Sequence, residues 1–282
     1  SDALTPIVLY DYQPSRKGSC AQNFLEGFRG LVQCDGYQGY NKLEDVILVC
    51  CLAHARRKFF EAVPAARRKR LKLLDINSDE AIEDISLPDE EEAKQLLPAE
   101  IGLLYCNKLF YLERTLKDLN PDERKQQRDV LEQPVWDQFW NWLDTLHPTG
   151  GSKLGKAVNY AQNHHDTLMN YLLDGRCEIS NNRAERKAKS YAIGWKAFLF
   201  HTSETGAGAS AVMYSIVETA KANNLNIFQY LYTVLLYMPD YTNSSAGIEQ
   251  LMPWSEFIKE QCSGLIDVES NVPEKRIPLP HR

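Results

Sequence analysis

Hydrophobic and polar positions change period several times within the first 63 residues. Pro6 to Tyr12 (PIVLYDY) is apolar and β-branched and predicts a strand. After a turn at Ser15 to Ser19 containing Gly18, the segment Ala21 to Phe28 places Phe24, Leu25 and Phe28 at helical spacing. Gly30 closes that helix, Leu31 to Cys34 predict a second short strand, and Asp35-Gly36-Tyr37 puts Asp35 at a strand tip. Val46 to Cys51 is almost wholly apolar, as for a strand covered on both faces, and leads into a basic helix over Ala53 to Val63. The succession of strand, helix, strand, strand and helix predicts an α/β fold.

From Pro64 the pattern turns helical, with a basic run at Arg67 to Lys72 and an acidic one at Asp79 to Glu92 that reads as solvated surface. Trp136, Phe139, Trp140 and Leu143 lie at i, i+3, i+4 and i+7, which predicts a core-facing stripe. A loop at His147 to Gly151 precedes a helix from Lys153 to Leu173 that ends at Asp174-Gly175. A further helix starts near Asn181-Asn182 with Glu185 in its first turn, Ala192 to Phe200 is aromatic and apolar, 202–208 reads as a flexible loop, and Ala209 to Asn223 as a helix. The expected organisation is 1–63 as the first part of a core, 64–150 as a mostly helical insertion, 151–240 as the rest of that core, and 241–282 as a tail.

Composition sets outer limits on this picture. In 282 residues, 44% hydrophobic and 25% charged content is that of a folded globular chain able to bury a core. No run approaches the roughly 18 to 20 apolar residues of a membrane helix, and no basic-then-apolar leader opens the chain. No membrane partner is therefore expected, and Ser1-Asp2-Ala3 reads as an artificial start. Seven cysteines, an odd number with Cys50 and Cys51 adjacent, point to reduced thiols in a cytosol. The net charge of −6 means that any nucleic-acid surface is local.

The candidate chemistry centres on Asp35 and Glu185. Carboxylates on a strand tip and an early helical turn can meet at one sheet edge, and hard cations such as Mg²⁺ or Mn²⁺ want such oxygen donors on rigid elements. The blander readings are that Asp35 opens a turn, and that Glu185 is the N3 member of an Asn182-x-x-Glu185 capping box. Cys51-x-x-His54 has the spacing of two zinc ligands, but no second pair follows; a buried thiol and a hydrogen-bonded histidine near the site are expected instead. Arg56, Arg57 and Lys58 early in one helix, and Arg183, Arg186, Lys187, Lys189 and Lys196 around and beyond Glu185, are candidate phosphate contacts. Exposed i, i+4 ion pairs are the alternative for them.

Several segments resemble the insertion sequence 66 family of transposases: YDYQPSRKG (10–18), LEGFRGLVQCDGYQGYNKL (25–43), CLAHARRKFFEA (51–62), CEISNNRAERKAKSYAIG (177–194) and YSIVETAKANNLNIFQYL (214–231). The resemblance implies an RNase H-like mixed sheet flanked by helices, with a helical insertion and a helical C-terminal segment. It also implies an Asp-Asp-Glu triad whose second acid maps onto Asp35 and whose third maps onto Glu185. The family's first acid lies some tens of residues before the second. Only 34 residues precede Asp35, so that acid is expected to be missing. Asp11 is not its substitute, because the YDY strand resembles the third strand of the family's sheet.

Two positions depart from the family pattern. Gly194-Trp195-Lys196-Ala197 stands where Gly-Arg-Lys-Asn is usual, and Leu52 replaces a Trp. The first loses a cation and an amide one helix from the acids, and the second reads as a packing change. The implied activity is two-metal phosphoryl transfer, cutting transposon ends and joining them to target DNA, with DNA as partner and a homo-oligomer on DNA. The competing expectations are a non-catalytic DNA-binding or assembly module and another RNase H-like nuclease.

Overall fold

The structure, a computed structural model, describes residues 5–68, 86–198, 201, 203–241 and 246–263, with backbone alone over 195–198. It is α/β with helix predominating. Two short strands, β1 (Gly30–Cys34) and β2 (Val46–Cys50), pair in parallel from Gly30 opposite Val46 to Cys34 opposite Cys50. Helix α1 (Gly18–Phe24) precedes β1, and α2 (Leu52–Ala62) follows β2 directly. Short α3 (Ala65–Arg68) and α4 (Glu90–Gln95) lead to the longer α5 (Pro98–Thr115), α6 (Pro121–Leu131) and α7 (Gln133–Asp144). Then come α8 (Lys153–Asn163), α9 (His165–Met169) and α10 (Asn182–Phe198), followed by α11 (Glu204–Ala222), α12 (Ile227–Tyr237) and α13 (Glu256–Cys262).

The chain divides into two compact units, one of residues 17–185 and one of 1–16 with 186–282. The larger unit buries one core, in which Cys34 and Val49 from the strands and Leu52 and Phe59 from α2 meet Leu103 and Leu109 of α5. The predicted stripe on α7 belongs to it: Trp136, Phe139 and Leu143 are buried, and Trp140 stacks on Trp136 at 5.4 Å. The basic run is more than a solvated face at its start. Arg67 Nε lies 2.9 Å from the carboxylate of Glu100, which is buried, and Arg68 Nε donates to Val63 O. Residues 69–85, which hold the rest of that run and the start of the acidic one, lie outside the described residues.

A buried guanidinium holds the far side of this unit together. Arg128 of α6 is fully enclosed; it forks onto both carboxylate oxygens of Glu113 and donates to the carbonyls of Tyr171, Asp174 and Cys177. Arg124, one turn earlier, donates to Gly175 O, and a Cβ on Gly175 would come within 1.8 Å of Pro121 O. The loop between α9 and α10 is thereby fastened to α6. Its continuation reaches the sheet, where Ile179 O accepts from Leu52 N and Glu178 O from the Gln33 amide. Beside Arg128, Glu132 is buried and accepts from the Tyr171 hydroxyl.

In the smaller unit, the strand predicted over Pro6 to Tyr12 is corrected: among the described residues it pairs with no strand. Its backbone bonds instead to a polar stripe on α11. Asn223 Nδ2 donates to Pro6 O, Val8 exchanges two bonds with the Thr219 hydroxyl, and Tyr10 N donates to Ser215 Oγ. Two extended residues advance roughly 6.6 Å and four helical residues about 6 Å, so hydroxyl and amide side chains at i, i+4 and i+8 meet every second backbone group. The same unit buries Ala220, Leu225, Tyr230, Ile258 and Cys262. Glu218, also buried, is paired with Lys187 and Lys221, each at 2.8 Å.

Further boundaries differ from expectation, the first helix running over Gly18–Phe24 and not Ala21 to Phe28. The loop over 202–208 is helical from Glu204 onward, because Ser203 caps α11 by accepting from Gly206 N. Gly206 and Gly208 both lie inside this helix. The helix expected over Lys153 to Leu173 stops at Asn163, because the His164 ring takes the Tyr160 carbonyl and His164 N turns to Ala161 O.

Removing the Arg128 side chain by Arg128→Met leaves Glu113 and three carbonyls unpaired in the interior. Urea unfolding is expected to show a loss of about 3 to 5 kcal/mol. Glu132 supplies a pH signature: burial first, then the Glu113 charge, pushes its carboxyl from 4.5 up to about 9. The folded chain keeps a proton there that the unfolded chain releases, so the contribution is complete below 4.5 and is lost as pH rises towards 9. Urea midpoints are expected to fall across that window, and Glu132→Gln to flatten the fall.

Candidate active site

β1 ends at Cys34, and the chain turns immediately. Gly36 has φ +81, a conformation that glycine adopts without strain, and Tyr37 N donates to Asp35 Oδ1 at 3.0 Å. The Asp-Gly turn therefore leaves Asp35 exposed at the strand tip with one carboxylate oxygen engaged. The turn is also held from α8. Tyr160 OH donates to Asp35 O at 3.3 Å, the His164 Nε2 lies 3.4 Å from Gly36 O, and the two rings stack at 4.3 Å.

Glu185 stands in the first turn of α10, its N–H bonded to Asn181 O. Its carboxylate faces His54, with Oε1 3.5 Å from Nε2. His54 comes from the first turn of α2, which starts where β2 ends. Burial lowers the pKa of this imidazole, Arg57 lowers it further, and the charges of Glu185 and Asp35 oppose them. Two polar atoms beside Glu185 are buried with no hydrogen-bond partner among the described residues, His54 Nδ1 and Asn181 Oδ1. Cys51 is fully buried; burial raises the pKa of its thiol, and nearby backbone N–H groups, that of Asn181 foremost, oppose the rise.

The candidate cations separate into different environments. Arg56 is half-buried, its Nε donating to Asn107 Oδ1 at 2.6 Å, while Arg57 is exposed. Lys58 Nζ lies 4.9 Å over the Tyr160 ring. Arg183 is exposed, 3.7 Å from Glu178. In the smaller unit, Arg186 and Lys189 are exposed, whereas Lys187 bonds the buried Glu218. The side chains of Lys196, Trp195 and Ala197 lie outside those described.

Sequence reading passed over Tyr160 and His164. The available signal was an aromatic pair at i, i+4 on a predicted helix, but nothing in the spacing connects it to a turn 125 positions earlier. Among the described residues, no three His, Cys, Asp or Glu side chains stand close enough together to hold a metal ion alone. Likewise, no described helix is long and apolar enough to cross a membrane.

Comparison with known proteins supplies the context for this geometry. The chain is 28% identical over 259 residues to the protein y4hP of Sinorhizobium fredii (strain NBRC 101917 / NGR234), covering 88% of this chain and 44% of that one. It is 28% identical over 261 residues to y4jD of the same organism, covering 89% and 46%. The chain thus spans less than half the length of the curated relatives it matches. No solved structure matches it. Residues 1–209 match the family described as Transposase IS66 family, and 215–254 match the IS66 C-terminal element. The chain belongs to the IS66 family of transposases.

Proposed function

We propose that this chain carries part of the catalytic centre of a DNA transposase, with Asp35 and Glu185 as ligands for Mg²⁺ or Mn²⁺. The observation that supports this most is that the Glu185 carboxylate, 150 positions after Asp35, lies 3.5 Å from His54 in the helix that follows β2, while Asp35 follows the end of β1, the strand paired with β2. The donor types suit such ions: two carboxylates, one with an oxygen left over from its turn, and a buried Asn181 Oδ1 without a partner among the described residues, on the residue whose backbone oxygen bonds Glu185 N. Mg²⁺ keeps several waters and is commonly held by one or two carboxylates plus substrate phosphates, so two acids suffice to begin a site. The chemistry such ions supply is activation of a water or 3′-hydroxyl nucleophile and neutralisation of charge at the scissile phosphate.

The protein's own part is placement. The Tyr37 N–H turns the Asp35 carboxylate, His54 opposes that of Glu185, and Arg57 adds an exposed cation beside them. Arg183, Arg186 and Lys189 are exposed and suited to DNA phosphates; Lys187, which bonds Glu218, is assigned to folding. Transposon ends and target DNA are the proposed partners, with a homo-oligomer assembled on DNA in the cytoplasm. The parallel strand pair fits one part of an RNase H-like sheet. In that reading, 1–63 and 151–240 form the catalytic core, 64–150 the helical insertion and 241–282 a tail. A non-catalytic module is the second reading, favoured by the lack of a three-donor cluster among the described residues.

Calorimetric titration with Mn²⁺ tests the first reading. Binding in the millimolar range is expected, and it should vanish in both Asp35→Ala and Glu185→Ala. Heats unchanged by either substitution, or absent altogether, favour the second reading. The cation assignments predict a further difference: Arg57→Ala should lower the slope of log affinity against log salt for duplex DNA by about 0.9. Arg56→Ala should chiefly lower the urea midpoint, since it leaves Asn107 without its bond.

A further inference from the structure

We propose that Tyr160 and His164 are positioning residues for Asp35, forming a two-ring clamp that fixes the direction of its free carboxylate oxygen. This rests on the reading of Asp35 as a metal ligand. The turn that presents Asp35 is short and lies at the end of a two-stranded sheet, where few neighbours are available to hold it. Its own Tyr37 N–H fixes one carboxylate oxygen, but the peptide planes of residues 35 and 36 need separate restraint. The clamp supplies it, with Tyr160 OH donating to the Asp35 carbonyl and the His164 ring packed against Gly36, whose carbonyl stands 3.4 Å from Nε2 while the ring's Nδ1–H goes to Tyr160 O.

The clamp is itself rigid. His164 Nδ1 bonds Tyr160 O at 2.9 Å, which fixes the imidazole, and the rings stack with an interplanar angle of 24°. The helix breaks at this histidine because the side chain has taken the carbonyl that the next backbone turn would have used. Lys58 lies over the Tyr160 ring and ties it to α2, the helix that also carries His54. Space completes the argument. A Cβ on Gly36 would stand 2.9 Å from both His164 Nε2 and Tyr160 OH, so any side chain there would displace the rings, and the φ of +81 would strain it as well. Partners that orient a metal-binding side chain typically influence affinity about ten- to a hundredfold.

The neighbouring His165 serves as a control, because its ring packs on Trp140 at 4.2 Å instead. Two readouts are taken on the whole chain: hydrogen exchange of the Tyr37 amide, which reports the turn without metal, and Mn²⁺ affinity by calorimetry. His164→Ala is expected to speed Tyr37 exchange and weaken Mn²⁺ binding by at least about tenfold, with the β2 amides still protected. Tyr160→Phe, which keeps the stack and loses one bond, should give a smaller change in the same direction. It carries the test if His164→Ala loses protection throughout, and His165→Ala should change neither readout. Unchanged Tyr37 exchange, or unsubstituted Mn²⁺ affinity, in the folded clamp variants overturns the proposal. If the unsubstituted chain binds no Mn²⁺, the metal reading falls, and the exchange rates alone still decide whether the rings hold the turn.

Discussion

The larger unit depends on one desolvated guanidinium. Removing a charge from water costs several kcal/mol unless every donor finds a partner, and Arg128 finds them all: a carboxylate fork and three backbone carbonyls. Those carbonyls belong to residues 171 to 177, the stretch that ends α9 and leads to α10. A segment between two helices is thereby bonded to α6 at three carbonyls. Because it continues through Ile179 to the backbone of Leu52, the order it imposes reaches both the sheet and the first turn of α2.

The site follows from that order. Asp35 is presented by the end of a strand, His54 by the first turn of the helix after the neighbouring strand, and Glu185 by the first turn of α10. Elements of the 64–150 region contribute to it at a distance: Glu113 and Arg128 come from α5 and α6, and Asn107 from α5 holds Arg56. These helices therefore act as a scaffold. They secure the return of the chain to the sheet after the excursion that separates the two acids.

Much of this was legible in sequence wherever a local signal existed. The apolar run Val46 to Cys51, the Asp-Gly after β1 and the i, i+3, i+4, i+7 stripe on α7 each announce their element, because period and turn chemistry are local properties. The Pro6 to Tyr12 segment misled for a related reason. Its pattern is that of a strand, yet strand formation needs a partner, and here Ser215, Thr219 and Asn223 supply the hydrogen bonds. The break at His164 was illegible, since it arises from a side chain bonding its own helix. Arg128 looked like any helical arginine; only tertiary context shows it buried. The acids themselves were indistinguishable by composition from the other carboxylates, and family resemblance singled them out.

The central claim is that Asp35 and Glu185 belong to one divalent-ion site. Paramagnetic broadening by Mn²⁺ in the amide spectrum of the chain tests it most directly, because broadening reports proximity to the ion. The account predicts that the Gly36 and Glu185 amides broaden together, at the same added Mn²⁺, while amides on the far side around Arg128 remain sharp. Broadening of one of the two without the other, or of neither while other amides are lost, would contradict it.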